Sequence, residues 1–181
     1  MERYLGIVSM LSGKAAEVVN RLREQYDPKT ARAVGAHVTL AGPVTTKQPL
    51  TEVASVLAAV VEESLPFDVT VSGLRSFQPK SQTSYLGIAP VEKLAGVHDA
   101  LIARLGWQER FEYLPHVTIT EYLSAEETSA AASEMGDLDF RLVHHVRALT
   151  LVEKDEDGVW QTVLECMPSS SGDGTKGEGD T

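Results

Sequence analysis

The chain has very little of three things: cysteine, long apolar runs and positive charge. Cys166 is the one cysteine among 181 residues, which excludes an intramolecular disulfide and a thiolate metal cluster. No segment is apolar for long enough to cross a membrane, and the N-terminal apolar run is too short for a signal peptide. We therefore expect a cytoplasmic protein that makes no contact with membranes.

Acidic residues outnumber basic ones by 26 to 16, so the formal net charge is −10 at pH 7. Long nucleic acids are bound mainly by neutralising their phosphates with lysine and arginine, which argues against a surface for such polymers. A small nucleotide or an RNA end can still bind in a cleft that is positive only locally. We expect such a small substrate, no cofactor and a monomer.

What the chain does contain is one short sequence motif that occurs twice. It reads Ala36-His37-Val38-Thr39-Leu40 in the first half and Pro115-His116-Val117-Thr118-Ile119 in the second. Side chains alternate across a β-strand, so the histidine and threonine of each copy share one face while the aliphatic residues point into a core. Two imidazoles and two hydroxyls in a common cleft are suited to acid–base chemistry on a phosphate.

The two copies occupy matching places in an apparent repeat. Tyr85-Leu86-Gly87-Ile88 copies Tyr4-Leu5-Gly6-Ile7, and the motif histidine follows the tyrosine by 31 residues in one case and 33 in the other. Hydrophobic periodicity around them predicts a strand–helix–strand–helix unit in each half. The sequence therefore predicts that residues 1–167 form one bilobal α+β domain, with pseudo-twofold repeats over about 3–76 and 83–166.

Three further segments follow the second motif. Ser124-Ala125-Glu126-Glu127 has the pattern of a capping box and predicts a helix start. After it we expect one long strand over about 140–153 and a last strand over 159–166. Residues 168–181 contain no apolar side chain to bury and are predicted to be a disordered tail.

The motif residues fit a metal-independent reaction. One histidine can accept a proton while the other donates one to a leaving oxygen, and Thr39 and Thr118 add hydroxyls that can stabilise a phosphoryl oxygen. The sequence has no convincing set of metal ligands. A single His-Val-Thr strand is usually structural, whereas two copies at equivalent positions favour His37 and His116 as a catalytic pair.

The paired motifs, their separation and the repeated units resemble the 2H phosphoesterase superfamily, and within it the RNA 2′,3′-cyclic phosphodiesterase and 2′-5′ RNA ligase-like branch. The resemblance covers about residues 3–166. It implies two antiparallel sheets around a central cleft that holds both motifs, with the helices outside. It also implies that His37 and His116 are catalytic and that Thr39 and Thr118 bind the phosphate.

One position departs from the family's pattern. Several bacterial relatives carry an arginine shortly after the second motif, whereas this chain has Thr120-Glu121-Tyr122. A carboxylate beside a bound phosphate is repulsive unless it points away. Some family members have an aromatic residue in this place, which makes Tyr122 a candidate substrate contact.

The other candidates in the sequence carry weaker signals. Four residues are candidate sources of the missing positive charge, although each also fits a solvated surface position: Arg32, Arg75, Lys80 and Arg110. Tyr113 and Phe77 fit either a base-stacking wall or core packing. The remaining histidines are interpreted as structural or exposed: His98, His144 and His145.

The sequence therefore predicts an enzyme, a phosphodiesterase that hydrolyses 2′,3′-cyclic phosphates of nucleotides or RNA ends without a metal. Two alternatives keep the same site, namely 2′-5′ RNA ligase-like activity and hydrolysis of another small cyclic phosphodiester. A third alternative is a non-catalytic module that uses the cleft to bind nucleotides. Which histidine is the acid and which the base stays open.

Overall fold

The computed structural model of the protein describes residues 2–136 and 141–169. The first half of the chain forms six elements: β1 (Arg3–Met10), α1 (Gly13–Tyr26), α2 (Pro28–Ala33), β2 (His37–Thr46), α3 (Leu50–Ser64) and β3 (Phe67–Ser76). The second half forms seven: β4 (Ser84–Ala89), α4 (Val91–Leu105), β5 (His116–Thr120), α5 (Ala125–Gly136), β6 (Arg141–Val146), β7 (Leu149–Lys154) and β8 (Trp160–Cys166). The predicted tail lies outside the described residues, apart from Pro168 and Ser169. None of the described helices is long and apolar enough to span a membrane.

The described strands form two four-stranded antiparallel sheets. One has the order β2-β1-β7-β8 and the other the order β5-β4-β3-β6. The two motif strands, β2 and β5, are edge strands of different sheets, and they contact each other. The predicted α+β class with two antiparallel sheets is confirmed.

The two sheets do not coincide with the two halves of the chain. β3 pairs with β4 and β6 in the second sheet, while β7 pairs with β1 in the first. The single long strand predicted over 140–153 is wrong, because β6 ends at Val146 and β7 begins at Leu149 in the other sheet. Only Arg147 and Ala148 separate the two strands, and neither is a glycine or a proline, so the sequence carries no strong signal for the break.

Each half of the chain supports the motif strand of the other half. α1 packs against β5, and α4 packs against β2. Both helices bury apolar side chains at helical spacing, as the sequence predicts, with Val19 on α1 and Leu94 and Leu101 on α4 at 0% exposure. Burial of one such side chain contributes about 1.5–3 kcal/mol, so these helices hold the motif strands firmly in place.

His144 links the two sheets inside the core. It lies on β6, and its Nε2 is 2.9 Å from the hydroxyl oxygen of Ser9 on β1. The next residue, His145, is exposed and lies 2.6 Å from the carboxylate of Asp68, so the two adjacent rings point in opposite directions as expected. Burial lowers the pKa of His144 to about 4, and the folded protein therefore holds this imidazole neutral.

We expect His144 to make the protein less stable in acid. The unfolded chain takes up a proton near the ordinary pKa of 6.5, whereas the folded chain resists it down to about 4. The free energy of unfolding therefore falls as the pH drops through this window, by about 3 kcal/mol for this group. His144→Gln cannot titrate there, so urea unfolding between pH 4 and 7 should show a shallower pH dependence for the variant. An unchanged slope would contradict this role.

Candidate active site

The two motif strands show the same pattern of exposure. In each strand the aliphatic residues are fully buried, at 0% exposure: Val38, Leu40, Val117 and Ile119. The histidine and the threonine of each strand are only partly buried. The alternation predicted for both motifs is confirmed, and both histidine–threonine pairs lie on abutting edge strands.

Both motif strands also carry a β-bulge directly after the threonine. The register of β2 with β1 skips Leu40, and the register of β5 with β4 skips Ile119. A bulge sharpens the local twist and changes the direction of the side chains beside it. The similarity of the two motifs therefore extends to an irregularity of the backbone that the residue pattern did not indicate.

The two motif histidines are held in the same way. Nδ1 of His37 lies 2.8 Å from the carbonyl oxygen of Gly35, and Nδ1 of His116 lies 2.7 Å from the carbonyl oxygen of Leu114. A carbonyl oxygen only accepts, so Nδ1 carries the hydrogen in each ring. Nε2 is then the unprotonated nitrogen of each neutral imidazole and the atom available to take up a proton.

Both rings are neutral in the free protein at pH 7. Loss of solvent lowers the pKa of His37 to about 4, and the charges of Arg23 and His116 lower it as well, against a hydrogen bond to Gly35 that raises it. Burial also lowers the pKa of His116. Because a proton on one ring disfavours a proton on the other, the pair accepts its first proton more readily than its second. The singly protonated pair contains one acid and one base.

Two aromatic rings brace His116. The centroids of Phe77 and Tyr85 each lie 5.2 Å from that of His116 in edge-on geometry, and the two rings stack on each other at 4.2 Å. Phe77, which the sequence left between two interpretations, thus packs against a motif histidine. Sequence reasoning used Tyr85 only as a marker of the repeat and missed this contact.

Tyr113 ties the segment before β5 to β2. Its hydroxyl donates a hydrogen bond of 3.0 Å to the carbonyl oxygen of Thr39, and its ring stacks on His98 with centroids 3.9 Å apart. His98 on α4 donates from Nδ1 to the carbonyl oxygen of Leu40, the bulge residue of β2, at 2.9 Å. Tyr113 and His98 therefore brace the first motif strand from the second half of the chain.

Asp27 ties the segment after β5 to the end of α1. Its buried carboxylate accepts hydrogen bonds from the backbone N–H groups of Glu121 and Tyr122 at 2.7 and 3.0 Å. It also accepts from the N–H and the hydroxyl of Thr30, at 3.1 and 2.7 Å. Burial raises the pKa of Asp27, but these hydrogen bonds outweigh it and the net shift is downward. Sequence reasoning missed Asp27, although an aspartate before Pro28 is a typical helix start.

Arg23 lies one helical turn before Asp27 and is 1% exposed. Its Nη2 donates to the carbonyl oxygen of Thr30 at 2.9 Å, while Nε and Nη1 have no hydrogen-bond partner among residues 2–136 and 141–169. Burial lowers the pKa of Arg23, and the nearby charges of Asp27 and Glu121 oppose that shift. The site thus has a buried cation near His37, which the sequence analysis did not identify.

Three cationic side chains lie near the carboxylate of Glu121. Its pKa is raised, first by loss of solvent and then by Asp27, whereas Lys154, Arg23 and Lys29 are close enough to oppose that shift. Lys29 also lies over the ring of Tyr122, with Nζ 3.9 Å from the ring centroid. The side chain of Tyr122 is exposed, and its role as a substrate contact stays a prediction.

The four candidate sources of positive charge are all exposed and lie in different places. Arg32 belongs to α2, while Lys80 and Arg110 lie in loops. Arg75 lies on β3 opposite Tyr85, which in turn lies opposite Thr118. Only this one of the four lies on a strand of the sheet that carries the second motif. Within the described part of the chain, no cluster of three or more His, Cys, Asp or Glu side chains is placed to hold a metal ion.

Comparison with known proteins assigns the chain to a family. The model of the 2′-5′ RNA ligase superfamily matches residues 11–158. The chain belongs to this superfamily. The resemblance to 2H phosphoesterases that the two motifs indicate is thereby confirmed.

One curated relative and two solved structures match most of the length of this 2′-5′ RNA ligase superfamily member. A Bacillus pumilus protein named "Putative phosphoesterase" is 30% identical over 165 residues, which cover 88% of this chain and 94% of that protein. The structures of E. coli LigT complexed with NADP+ and with 3′-AMP have TM-scores of 0.68 and 0.65. Each is 17% identical and covers 93% of this chain and 99% of that chain, and the likeness shows a shared fold.

We expect Asp27→Ala to destabilise the protein strongly. The change leaves two backbone N–H groups after β5 without their acceptor and removes the nearest carboxylate that opposes the charge of the buried Arg23, at a cost of roughly 3 kcal/mol or more. Asp155→Ala is the matched control, because Asp155 also accepts hydrogen bonds from Val159 and Gln161 but lies in an exposed turn. Urea unfolding should show a much smaller loss of stability for the control, because its hydrogen bonds are screened by solvent. Equal losses would contradict the role given to Asp27.

Proposed function

We propose that the protein is a metal-independent phosphodiesterase that opens 2′,3′-cyclic phosphates on nucleotides or RNA ends, with His37 and His116 as its acid–base pair. The observation that carries the proposal is the matched presentation of the two rings. Both occupy the first position of abutting strands, and both direct Nδ1–H to a carbonyl two residues earlier. Membership of the superfamily supports phosphoester chemistry, and the 3′-AMP and NADP+ complexes of LigT support a nucleotide as the ligand.

In the proposed reaction, Nε2 of the neutral ring takes a proton from water as the water oxygen attacks phosphorus. The bond from phosphorus to one ribose oxygen breaks, and Nε2–H of the protonated ring gives its proton to that leaving oxygen. The hydroxyls of Thr39 and Thr118 donate to the non-bridging oxygens, on which negative charge grows. We assign His116 as the base and His37 as the acid for the 3′-oxygen, which leaves a 2′-phosphate; the exchanged assignment is the alternative.

The lowered pKa of both rings fits a substrate that carries a negative charge. In the free protein, loss of solvent keeps both imidazoles neutral at pH 7. A phosphodiester anion between them favours the charged imidazolium and raises the pKa of the ring that it contacts. Substrate binding thus favours the protonated imidazole that acts as the acid, a form that the free site does not hold at pH 7.

His37→Ala and His116→Ala are each expected to lower kcat for adenosine 2′,3′-cyclic phosphate by about 10²–10⁴-fold, since each removes one proton-transfer group. The double variant should lose little more than either single variant, because the two rings act as a unit. The assay contains EDTA, so that any turnover is independent of divalent metal. His145→Ala, which removes an exposed histidine on β6, is the control and should retain full activity.

Two outcomes of this experiment would reject the proposal. Full activity of a folded His37→Ala or His116→Ala variant would show that the ring is not an acid or base in the reaction. Binding of 3′-AMP by the wild type without turnover of any cyclic phosphodiester would favour the nucleotide-binding module instead. Thermal unfolding followed by circular dichroism establishes that each variant is folded.

We expect a bell-shaped pH profile with its maximum on the acidic side. The profile of kcat/KM follows the free protein, in which one ring must be protonated and the other neutral. Because the pKa of both rings lies below the ordinary value of 6.5, the maximum of kcat/KM should lie below pH 6.5. The profile of kcat should lie at higher pH, since the bound anion raises these pKa values. A kcat/KM that rises steadily from pH 5 to pH 9 would contradict the proposed pair.

A further inference from the structure

We propose that Arg75 binds a second phosphate group of the substrate, adjacent to the phosphate that lies between the two histidines. The inference rests on the proposed function for the position of the first phosphate. It makes Arg75 a specificity-determining residue that favours ligands with two phosphates over ligands with one.

The pairing of three neighbouring strands places Arg75 beside the second motif. Arg75 on β3 lies opposite Tyr85 on β4, and Tyr85 lies opposite Thr118 on β5. Residues directly opposite each other in antiparallel strands point to the same face of the sheet. Arg75 therefore shares a face with Thr118, and with His116 two residues earlier on the same strand.

Gly87 provides the space that Arg75 occupies. Gly87 lies directly opposite His116, and a Cβ atom added to it would be 3.0 Å from both Cζ and Nε of Arg75 and 3.3 Å from Nη2. Atoms that are not bonded do not normally approach so closely. The guanidinium thus fills the place that any larger residue at position 87 would take, immediately beside His116.

The strand order defines which phosphate this guanidinium can reach. β5 lies between β2 and β4, so Gly87 is on the side of His116 that faces away from His37. Neighbouring strands are about 4.8 Å apart, which puts the guanidinium roughly one strand spacing beyond the histidine. It flanks the gap between the two imidazoles and does not enter it. A phosphate outside that gap is the group that it is placed to bind.

The charge of Arg75 is available for a ligand. The side chain is exposed, and among residues 2–136 and 141–169 no carboxylate lies within ion-pair distance of it. A planar guanidinium binds phosphate oxygens with two parallel hydrogen bonds. The second phosphate can be the next phosphodiester of an RNA end or a terminal phosphomonoester, because both offer the same oxygens.

Three substrates test the proposal: adenosine 2′,3′-cyclic phosphate, its 5′-phosphorylated form, and the diadenosine dinucleotide that ends in a 2′,3′-cyclic phosphate. Arg75→Ala should lower kcat/KM about 10- to 100-fold for a substrate with two phosphates, and less than about 2-fold for the substrate with one. If kcat/KM falls selectively for the dinucleotide, the second phosphate bound by Arg75 is a phosphodiester of the chain. If it falls selectively for the 5′-phosphorylated compound, the second phosphate is a phosphomonoester. Arg21→Ala, an equal charge change on the exposed face of α1, should affect none of them.

Gly87→Ala tests the geometry without removing the charge. The added methyl group displaces the guanidinium, which is the mobile end of a long side chain, so this variant should fold and show the same selective loss. Combined with Arg75→Ala, it should add no further loss. The proposal is overturned if Arg75→Ala affects all three substrates equally or none of them, or if the two changes are fully additive.

The proposal can fail independently of the proposed function. If the wild type turns over none of the three compounds, the phosphodiesterase assignment fails, and Arg75 is then tested by binding alone. Titration calorimetry with adenosine 3′,5′-bisphosphate and with 3′-AMP should show that the wild type prefers the bisphosphate and that Arg75→Ala abolishes the preference. A preference that is absent from the wild type or unchanged in the variant overturns the inference.

Discussion

Hydrogen bonds from side chains to the main chain hold the edges of the two sheets together at the β2–β5 junction. On one side of β5, Tyr113 donates to the carbonyl oxygen of Thr39; on the other, Asp27 accepts from the N–H groups of Glu121 and Tyr122. The anchoring is reciprocal, since Asp27 follows α1, which packs behind β5, and α4 packs behind β2. Because the two motif strands belong to different sheets, these contacts determine how the two motif histidines face each other.

The burial that stabilises this junction also sets the protonation of the site. Loss of solvent is the largest influence on the pKa of His37 and of His116, and the buried guanidinium of Arg23 adds to it at His37. A looser junction would let water in and bring the pKa of both imidazoles back towards the ordinary value. It would also weaken the repulsion by which a proton on one ring disfavours a proton on the other. Stability and the proposed acid–base function therefore depend on the same packing, and Asp27 contributes to both.

Local patterns in the sequence predict the individual strands and helices, because each pattern reflects which face of the element is buried. The alternation of His37 and Thr39 with Val38 and Leu40 indicates a strand with one buried face, and the helical spacing on α1, α3 and α4 indicates helices with one apolar side. The crossing of the chain between β6 and β7 leaves no such trace, because Arg147 and Ala148, the residues at the crossing, include neither glycine nor proline. Asp27 was missed for a related reason: its carboxylate holds the N–H groups of Glu121 and Tyr122, which lie 94 and 95 positions away in sequence and which no local pattern records.

The acidic residue at position 121 shows that positive charge missing from a sequence motif can be supplied by residues from other parts of the chain. Family resemblance leads one to expect a cation just after the second motif, and this chain of net charge −10 places Glu121 there. The structure brings Arg23 from α1 and Lys29 from α2 near that carboxylate, and it lays Arg75 from β3 over Gly87 beside His116. A cation buried near His37 and another beside His116 make the potential of the proposed site more positive than the net charge of −10 indicates. The positive charge near the two motif histidines therefore comes from residues that are distant in sequence, and the motif alone does not indicate it.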